Sequence, residues 1–259
     1  MRAYQRLAQE VRDAIEAGHL PPGAELPSSG KLAKDHGMTQ ETALKALRLL
    51  ASEGFIVLEP RKPARVRNRP RTRITVRDRH AYRDDRGYYF DTGAKDWEPV
   101  APPTRGLAVP PPHVADELGV PRKEDVVVRD RAMAPPGDTV ARQISTSYIP
   151  VALAAAIPAL RAENTGSGGI YDRIEEHFDA PITWTEKVWS RPAPDDERDR
   201  LQLPQSVWVL VITRTARIAS ADGEIVVEVN ETRMSAEEYA ISYGIVRDAT
   251  ASWPRQEGG

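Results

Sequence analysis

Apolar positions in the first seventy residues recur at helical spacing in three blocks. Tyr4, Leu7, Val11, Ala14 and Ile15 form one stripe, which Gly18 and Pro21-Pro22-Gly23 prevent from continuing. Ser28 is placed to cap a short second helix to about Asp35, with Leu32 and Ala33 turned inward. After a tight turn at Gly37, Thr39 caps a third helix whose Ala43, Leu44, Leu47 and Leu50 face a core, and Gly54 stops it. Phe55 to Leu58 is β-prone, Arg61-Lys62-Pro63-Ala64 reads as a turn, and Ala64 to Arg67 reads as a return strand. Three helices and a basic hairpin predict a winged helix-turn-helix. Such a unit sets its third helix into the major groove of DNA, N-terminal residues leading.

Past residue 75 the pattern changes to short β-like runs at 88–90, 126–129, 142–148, 183–189, 208–215 and 224–230. Helical stretches are predicted between them, at about 112–119, 151–157, 169–178 and 195–201. Pro111 and Pro112 fit the start of the first and Gly119 its stop. Strands outnumber helices, so an α+β body with a mainly antiparallel sheet is expected, with the apolar run from Trp208 to Ile212 at an edge or in the core. The predicted organisation is a head over 1–68, a linker over 69–75 able to reorient the two units, a body over 76–250 and a flexible tail over 251–259.

Charge sharpens this division. The 259 residues carry a net charge of −2, but residues 1–75 hold 14 basic against 8 acidic side chains, a net of +6, leaving −8 for the remainder. Residues 60–73 carry seven positive side chains (Arg61, Lys62, Arg65, Arg67, Arg69, Arg71, Arg73) and no acid. A polyanion partner is thus expected for the head alone. The chain has no cysteine, which removes disulfides, thiolate metal sites and thiol nucleophiles. Met1 to Glu16 has no signal-peptide core, and the longest apolar run, Val151 to Leu160, is interrupted by Pro158 and too short for a bilayer. A cytoplasmic protein with no membrane partner is expected.

The residues of the head carry a specific resemblance. Tyr4, Leu7-Ala8, Val11 through Pro22-Gly23, Leu26-Pro27-Ser28, Leu32-Ala33, Gly37-Met38-Thr39, Thr42, Lys45-Ala46-Leu47 and Leu50 through Ile56 resemble the DNA-binding domain of GntR-superfamily transcriptional regulators. The resemblance implies a double-stranded DNA operator contacted by Ser28, Ser29, Lys31, Thr39, Gln40, Glu41, Thr42, Lys45, Arg48, Arg61, Lys62 and Arg65. Two departures bear on the operator sequence. Gln40 and Lys45 stand where the family usually has arginines, and the wing tip reads Arg61-Lys62-Pro63-Ala64-Arg65 where glycines are usual. An amide at position 40 suits an adenine edge, whereas Lys45, Arg48, Arg61, Lys62 and Arg65 suit phosphates or a minor groove.

The body resembles the UTRA effector domain of the HutC-like branch of these regulators, which is similar to the chorismate lyase fold. The motifs, in order, are Val128 to Arg131, Ser145 to Pro150, Gly168 to Glu175, Glu186 with Arg191-Pro192-Ala193, Val209-Leu210 with Thr213 to Ala216, and Glu228-Val229-Asn230. The resemblance implies a small-molecule effector held by Arg129, Arg131, Ser147, Tyr148, Glu186, Arg214 and Glu228. Arg129 and Arg131 lie two apart and so share a strand face, where one anionic ligand can meet both. It also implies a homodimer on a palindromic operator and a repressor whose DNA affinity the effector alters.

Other chemistry finds little support. His19, His36, His80, His113 and His177 are scattered, none with a second histidine at i+3 or i+4, so no metal is expected. Thr165 to Gly169 lacks the Lys-Ser/Thr of a phosphate loop and reads as a flexible turn before a helix. Ser145 and Ser147 lack a nearby histidine and a nucleophile elbow, so neither catalysis nor a cofactor is expected. The rival readings are an effector-independent architectural or plasmid-maintenance repressor, and a lyase-fold enzyme with a vestigial winged helix.

Overall fold

The computed structural model describes residues 1–59, 61–67, 73–220, 223–251 and 253. The head opens with helix α1 (Ala3–Glu16), α2 (Ser29–Asp35) and α3 (Gln40–Ser52). Ser28 Oγ accepts from the Lys31 amide and Thr39 Oγ1 from the Thr42 amide, each at 3.2 Å, so both expected caps are in place. Leu7, Ala8, Val11, Leu32, Ala33, Ala43, Ala46, Leu47 and Leu50 make the core, with Ala46 rather than Leu44 completing the inner face of α3. Strands β1 (Ile56–Val57) and β2 (Arg65–Val66) pair antiparallel as the wing.

In the body, β3 (Arg73–Val76) precedes a hairpin of β4 (Tyr82–Asp84) and β5 (Gly87–Tyr89), followed by β6 (Glu98–Pro99) and β7 (Thr104–Ala108). Next come α4 (Pro112–Leu118), β8 (Val126–Ala134), β9 (Gln143–Ile149), α5 (Val151–Ala156), α6 (Gly169–Phe178) and β10 (Ile182–Pro192). The chain continues through α7 (Asp195–Leu201), β11 (Trp208–Ser220), β12 (Gly223–Ser235) and β13 (Tyr239–Ser242). The main sheet runs β10-β11-β12-β9-β8, with β6 and β7 both on the outer side of β8, and every pair in it is antiparallel. This is the α+β body expected. Trp208 to Ile212 lies on a strand flanked on both sides and so not at an edge; Val209, Val211 and Ile212 are buried, whereas Trp208 is exposed.

Helices cover both faces of the sheet. α4 packs Val114 and Leu118 on Val126, Tyr148 and Val229 of one face, and α7 packs Leu201 near Ile144, Val209 and Val211. On the opposite face α5 and α6 bury Ala154, Tyr171 and Ile174 against Ile149, Ala216 and Ile218. That face is covered over only part of its length, and the remainder is open.

The expected linker divides. Residues 69–72 lie outside the described set, as does the tail apart from Ala251 and Trp253. Residues 73–76 form β3, which pairs parallel with β13 from Arg73↔Tyr239 to Val76↔Ser242. The last part of the predicted linker is therefore fixed to the body. Head and body also touch: Arg67 pairs with Glu237, and Gly54 approaches Ser206 so closely that a Cβ there would lie 2.7 Å from its Oγ.

Candidate nucleic-acid interface and ligand cleft

The N-terminal end of α3 presents an exposed polar surface. Gln40, Glu41, Lys45 and Arg48 are exposed, and Thr42 is half-buried beside Thr39, their hydroxyls 2.9 Å apart. Gln40 Nε2 donates to Ser29 Oγ at 3.3 Å, which ties the start of α3 to the start of α2. Lys45 lies 4.7 Å from the centroid of the Tyr4 ring, its charge still at the surface. Lys31 and Arg48 are exposed and make no ion pair among the described residues.

At the wing, Arg61 is exposed and adopts a left-handed backbone, φ 64°, where a glycine would meet no steric cost. Lys62 pairs with Glu59 and Arg65 with Glu25, the latter at 2.5 Å. These are exposed pairs of small worth, readily exchanged for a phosphate. Arg67 departs from Arg61, Lys62 and Arg65. It is buried against the body and does not add to the polyanion surface.

The open part of the sheet forms the floor of a cleft of about 320 Å³. Strand register explains its composition, because directly paired residues share a face. One row across the sheet reads Arg129, Ser147, Asn230, Arg214, Glu186, and the next includes Arg131, Ser145 and Thr232. Asn230 is the hub of the floor. Its Nδ2 donates to Ser145 Oγ and Ser147 Oγ, each at 3.1 Å, and its Oδ1 accepts from Thr232 Oγ1 at 3.2 Å. Deeper in, the Tyr171 hydroxyl donates to Glu228 at 2.6 Å. Burial pushes the Glu228 carboxyl above its ordinary range, against the hydrogen bonds from Ser147 and Tyr171 and the charges of Arg214 and Arg131.

The β4–β5 hairpin forms a wall. A Cβ on Gly87 would lie 2.3 Å from the Gly168 carbonyl oxygen, so only glycine permits the hairpin turn to sit on the start of α6. Arg83 pairs with Asp172 and the Tyr88 hydroxyl donates to Glu175 at 2.9 Å, holding hairpin to helix. The turn predicted before α6 is thus a packed element, with the Gly168 amide bonded to Asp85 O at 3.1 Å. Tyr88, Tyr171, Phe90 and Trp184 make an aromatic cluster with centroids 5.2–6.3 Å apart.

Five of the seven expected ligand residues meet at this cleft or its border. Arg131 lines it, exposed and without an ion pair or hydrogen bond among the described residues. Ser147, Arg214 and Glu228 line it as well. Glu186 stands at the border with a neighbouring cavity of about 440 Å³, where it accepts two bonds from Arg214 at 3.0 and 2.9 Å. The other two depart from expectation. Arg129 shares the face of Arg131, but its Nη1 donates to Leu160 O and Ala162 O at 2.9 Å each, which commits it to the loop after α5. Tyr148 follows Ser147 on a strand and so points to the opposite face, buried under α4.

Residues not expected also line the cleft: Ser145, Asn230, Tyr171, Arg77 and the hairpin aromatics. Ser145 and Asn230 share parity with Ser147 and Glu228, a signal present in the sequence. Arg77 had none, standing where linker was expected to give way to body. Among the described residues no group of three or more His, Asp or Glu is arranged to hold a metal, and no helix is long and apolar enough to cross a membrane.

Comparison with known proteins bears on both sites. Residues 3–66 match the bacterial regulatory proteins of the gntR family, and residues 104–240 match the UTRA domain. The chain is 38% identical over 60 residues to HTH-type transcriptional regulator YdcR of Escherichia coli (strain K12), covering 23% of this chain and 13% of that protein. It is 36% identical over 63 residues to the fatty acid metabolism regulator protein of Pasteurella multocida (strain Pm70), covering 24% and 26%. The chain thus spans about a quarter or less of those relatives' lengths. A solved structure described as a GntR-family transcriptional regulator is 26% identical, with a TM-score of 0.66 over 96% of this chain and 99% of that one.

Proposed function

We propose that this chain, which belongs to the GntR-family transcriptional regulators with a UTRA effector-binding domain, is a ligand-responsive repressor of the HutC-like branch, acting on a palindromic operator as a homodimer. Residues 1–68 are its DNA-binding domain and 76–250 its effector and dimerisation domain. The observation that carries this reading is the placement of the head. It contacts the body through Gly54 and Arg67, near the C-terminal end of α3, while the reading residues occupy the other end of that helix, about 20 Å away. An anchored head with a free reading end is what a regulator needs if body conformation is to set where its recognition helices point.

In this reading Gln40 specifies bases, with Thr39, Thr42, Glu41, Ser28 and Ser29 around it. Lys31, Lys45, Arg48, Arg61, Lys62 and Arg65 meet the phosphate backbone. The effector carries an anionic group, because Arg131 offers an uncommitted guanidinium above a floor of hydroxyl and amide groups. Effector binding favours one arrangement of heads over another. A hundredfold preference corresponds to about 2.7 kcal/mol of coupling.

A thermal-shift screen of metabolites, followed by operator binding with and without each hit, tests the proposal. A metabolite that raises the melting temperature and changes operator affinity is expected. Sequence-specific binding to DNA with no responsive metabolite would favour the architectural repressor, and turnover of a hit would favour the lyase-like enzyme.

A further inference from the structure

Two arginines in the body share one carboxylate oxygen. Glu186 Oε1 accepts from Arg214 Nε and Nη2 at 3.0 and 2.9 Å and from Arg77 Nη1 at 3.4 Å. Both guanidinium groups are buried, their side chains 10% exposed. The Arg214 guanidinium lies 3.4 Å from the Phe90 ring centroid, and Arg77 Nη1 also donates to Phe90 O at 3.2 Å. Arg77 Nε is buried with no hydrogen-bond partner among the described residues. One carboxylate oxygen therefore serves two buried cations and leaves a donor unused, which is costly in a low-dielectric setting. Asp91 and Glu228 are the nearby acids, and burial pushes both carboxyls upward, which weakens them as counter-charges.

Arg77 differs from the other cleft residues in where its backbone lies. It directly follows β3, and its amide donates to Ser242 O at 2.6 Å, extending the pairing of β3 with β13. β13 starts two residues after Glu237, which pairs with Arg67 of the head. The side chain in the cleft and the strand pair beside the head contact thus belong to one residue.

We propose that Glu186 is an internal stand-in for the effector's anionic group, and that Arg77 passes the exchange of one anion for the other to the β3–β13 pair. This rests on the reading that the cleft takes an anionic effector, and it assigns the anion's second anchor to Arg77 and Arg214 beside Arg131. A phosphate or carboxylate entering there offers oxygens to both guanidinium groups and to Arg77 Nε, and releases Glu186 to solvent at the border of the neighbouring cavity. Charge-assisted bonds to a multidentate anion outweigh those to a single shared oxygen.

The test uses the full chain with inorganic phosphate as probe, followed by calorimetry and by amide hydrogen exchange. Glu186→Gln, which removes the internal competitor, is expected to bind phosphate at least tenfold more tightly than wild type, and phosphate should raise its melting temperature more. Exchange within 73–77 and 239–242 should change on saturation in both proteins. Combining Arg77→Gln with Glu186→Gln should abolish that response, and Arg77→Lys in its place should restore part of it. Exchange separates this site from phosphate bound to the basic head. Unchanged phosphate affinity in Glu186→Gln, or a strand response that survives in the Arg77→Gln combination, overturns the proposal. If a metabolite still shifts operator affinity while Arg77 proves dispensable, the repressor reading stands and this inference falls. If Arg77 responds as expected but no anion alters DNA binding, the reverse holds.

Discussion

Arg67, at the end of the wing, turns its guanidinium away from the DNA-facing surface and pairs with Glu237, which lies between β12 and β13. The arginine side chain is 7% exposed and the glutamate 26%, and Arg67 Nε and Nη1 have no hydrogen-bond partner among the described residues. Removing the carboxylate would leave a nearly buried cation uncompensated. Glu237→Ala is expected to cost about 1–3 kcal/mol, reported by thermal or urea unfolding. The exchanged pair Arg67→Glu with Glu237→Arg should recover part of it. Equal stability of Glu237→Ala and wild type would mean that the contact does not hold the head.

At the reading end of α3, base contacts and phosphate contacts should separate. Replacing Gln40 by Ala should alter base preference in a binding-site selection, because its amide can reach a base edge while also bonding Ser29. Replacing Arg61 or Lys62 should weaken all sequences alike and lower the salt slope by about one per lost phosphate contact. A Gln40→Ala protein that selects the same sites as wild type would take base readout away from this residue.

Glu228 gives a pH signature. Its carboxyl sits above its ordinary value of 4.5 because burial penalises the charged form, so the folded state holds a proton that the unfolded chain releases. Stability from this group is full below about pH 4.5 and is lost as pH rises through the folded value. Glu228→Gln has no such loss and can still accept from Tyr171. The gap in melting temperature between Glu228→Gln and wild type should therefore widen as pH rises from 5 to 8. Parallel curves would show that the buried carboxylate costs nothing.

Much of this is legible in the sequence, for identifiable reasons. Helices α1 to α3 each carry an apolar stripe and a stop or cap, local signals that do not depend on partners. Motif order points to Ser147, Arg214 and Glu228, but parity on a strand decides which neighbour faces the cleft, and this sets Tyr148 opposite Ser147. The distant carbonyls of Leu160 and Ala162 that hold Arg129 leave no trace in the residues around it. Strands β3 and β13 lie more than 160 residues apart in sequence and pair through their backbones, so nothing in either segment named the other. Arg77 was hidden for that reason.

The two faces of the sheet can be told apart by ligand affinity. Arg131→Gln should weaken binding of an anionic effector by about 10- to 100-fold, the worth of a charge-assisted hydrogen bond. Tyr148→Phe, on the face under α4, should leave it within about twofold. Calorimetric titration of both variants with a hit from the metabolite screen checks this, and the opposite ranking would place the effector on the α4 side.

The central claim is that one chain couples an effector in the body to DNA at the head, and coupling of this kind is reciprocal. The most direct measurement is effector affinity with and without saturating operator, beside operator affinity with and without saturating effector. The two ratios are expected to agree, at about a hundredfold for roughly 2.7 kcal/mol of coupling. Effector affinity that is unchanged by saturating operator would contradict the account.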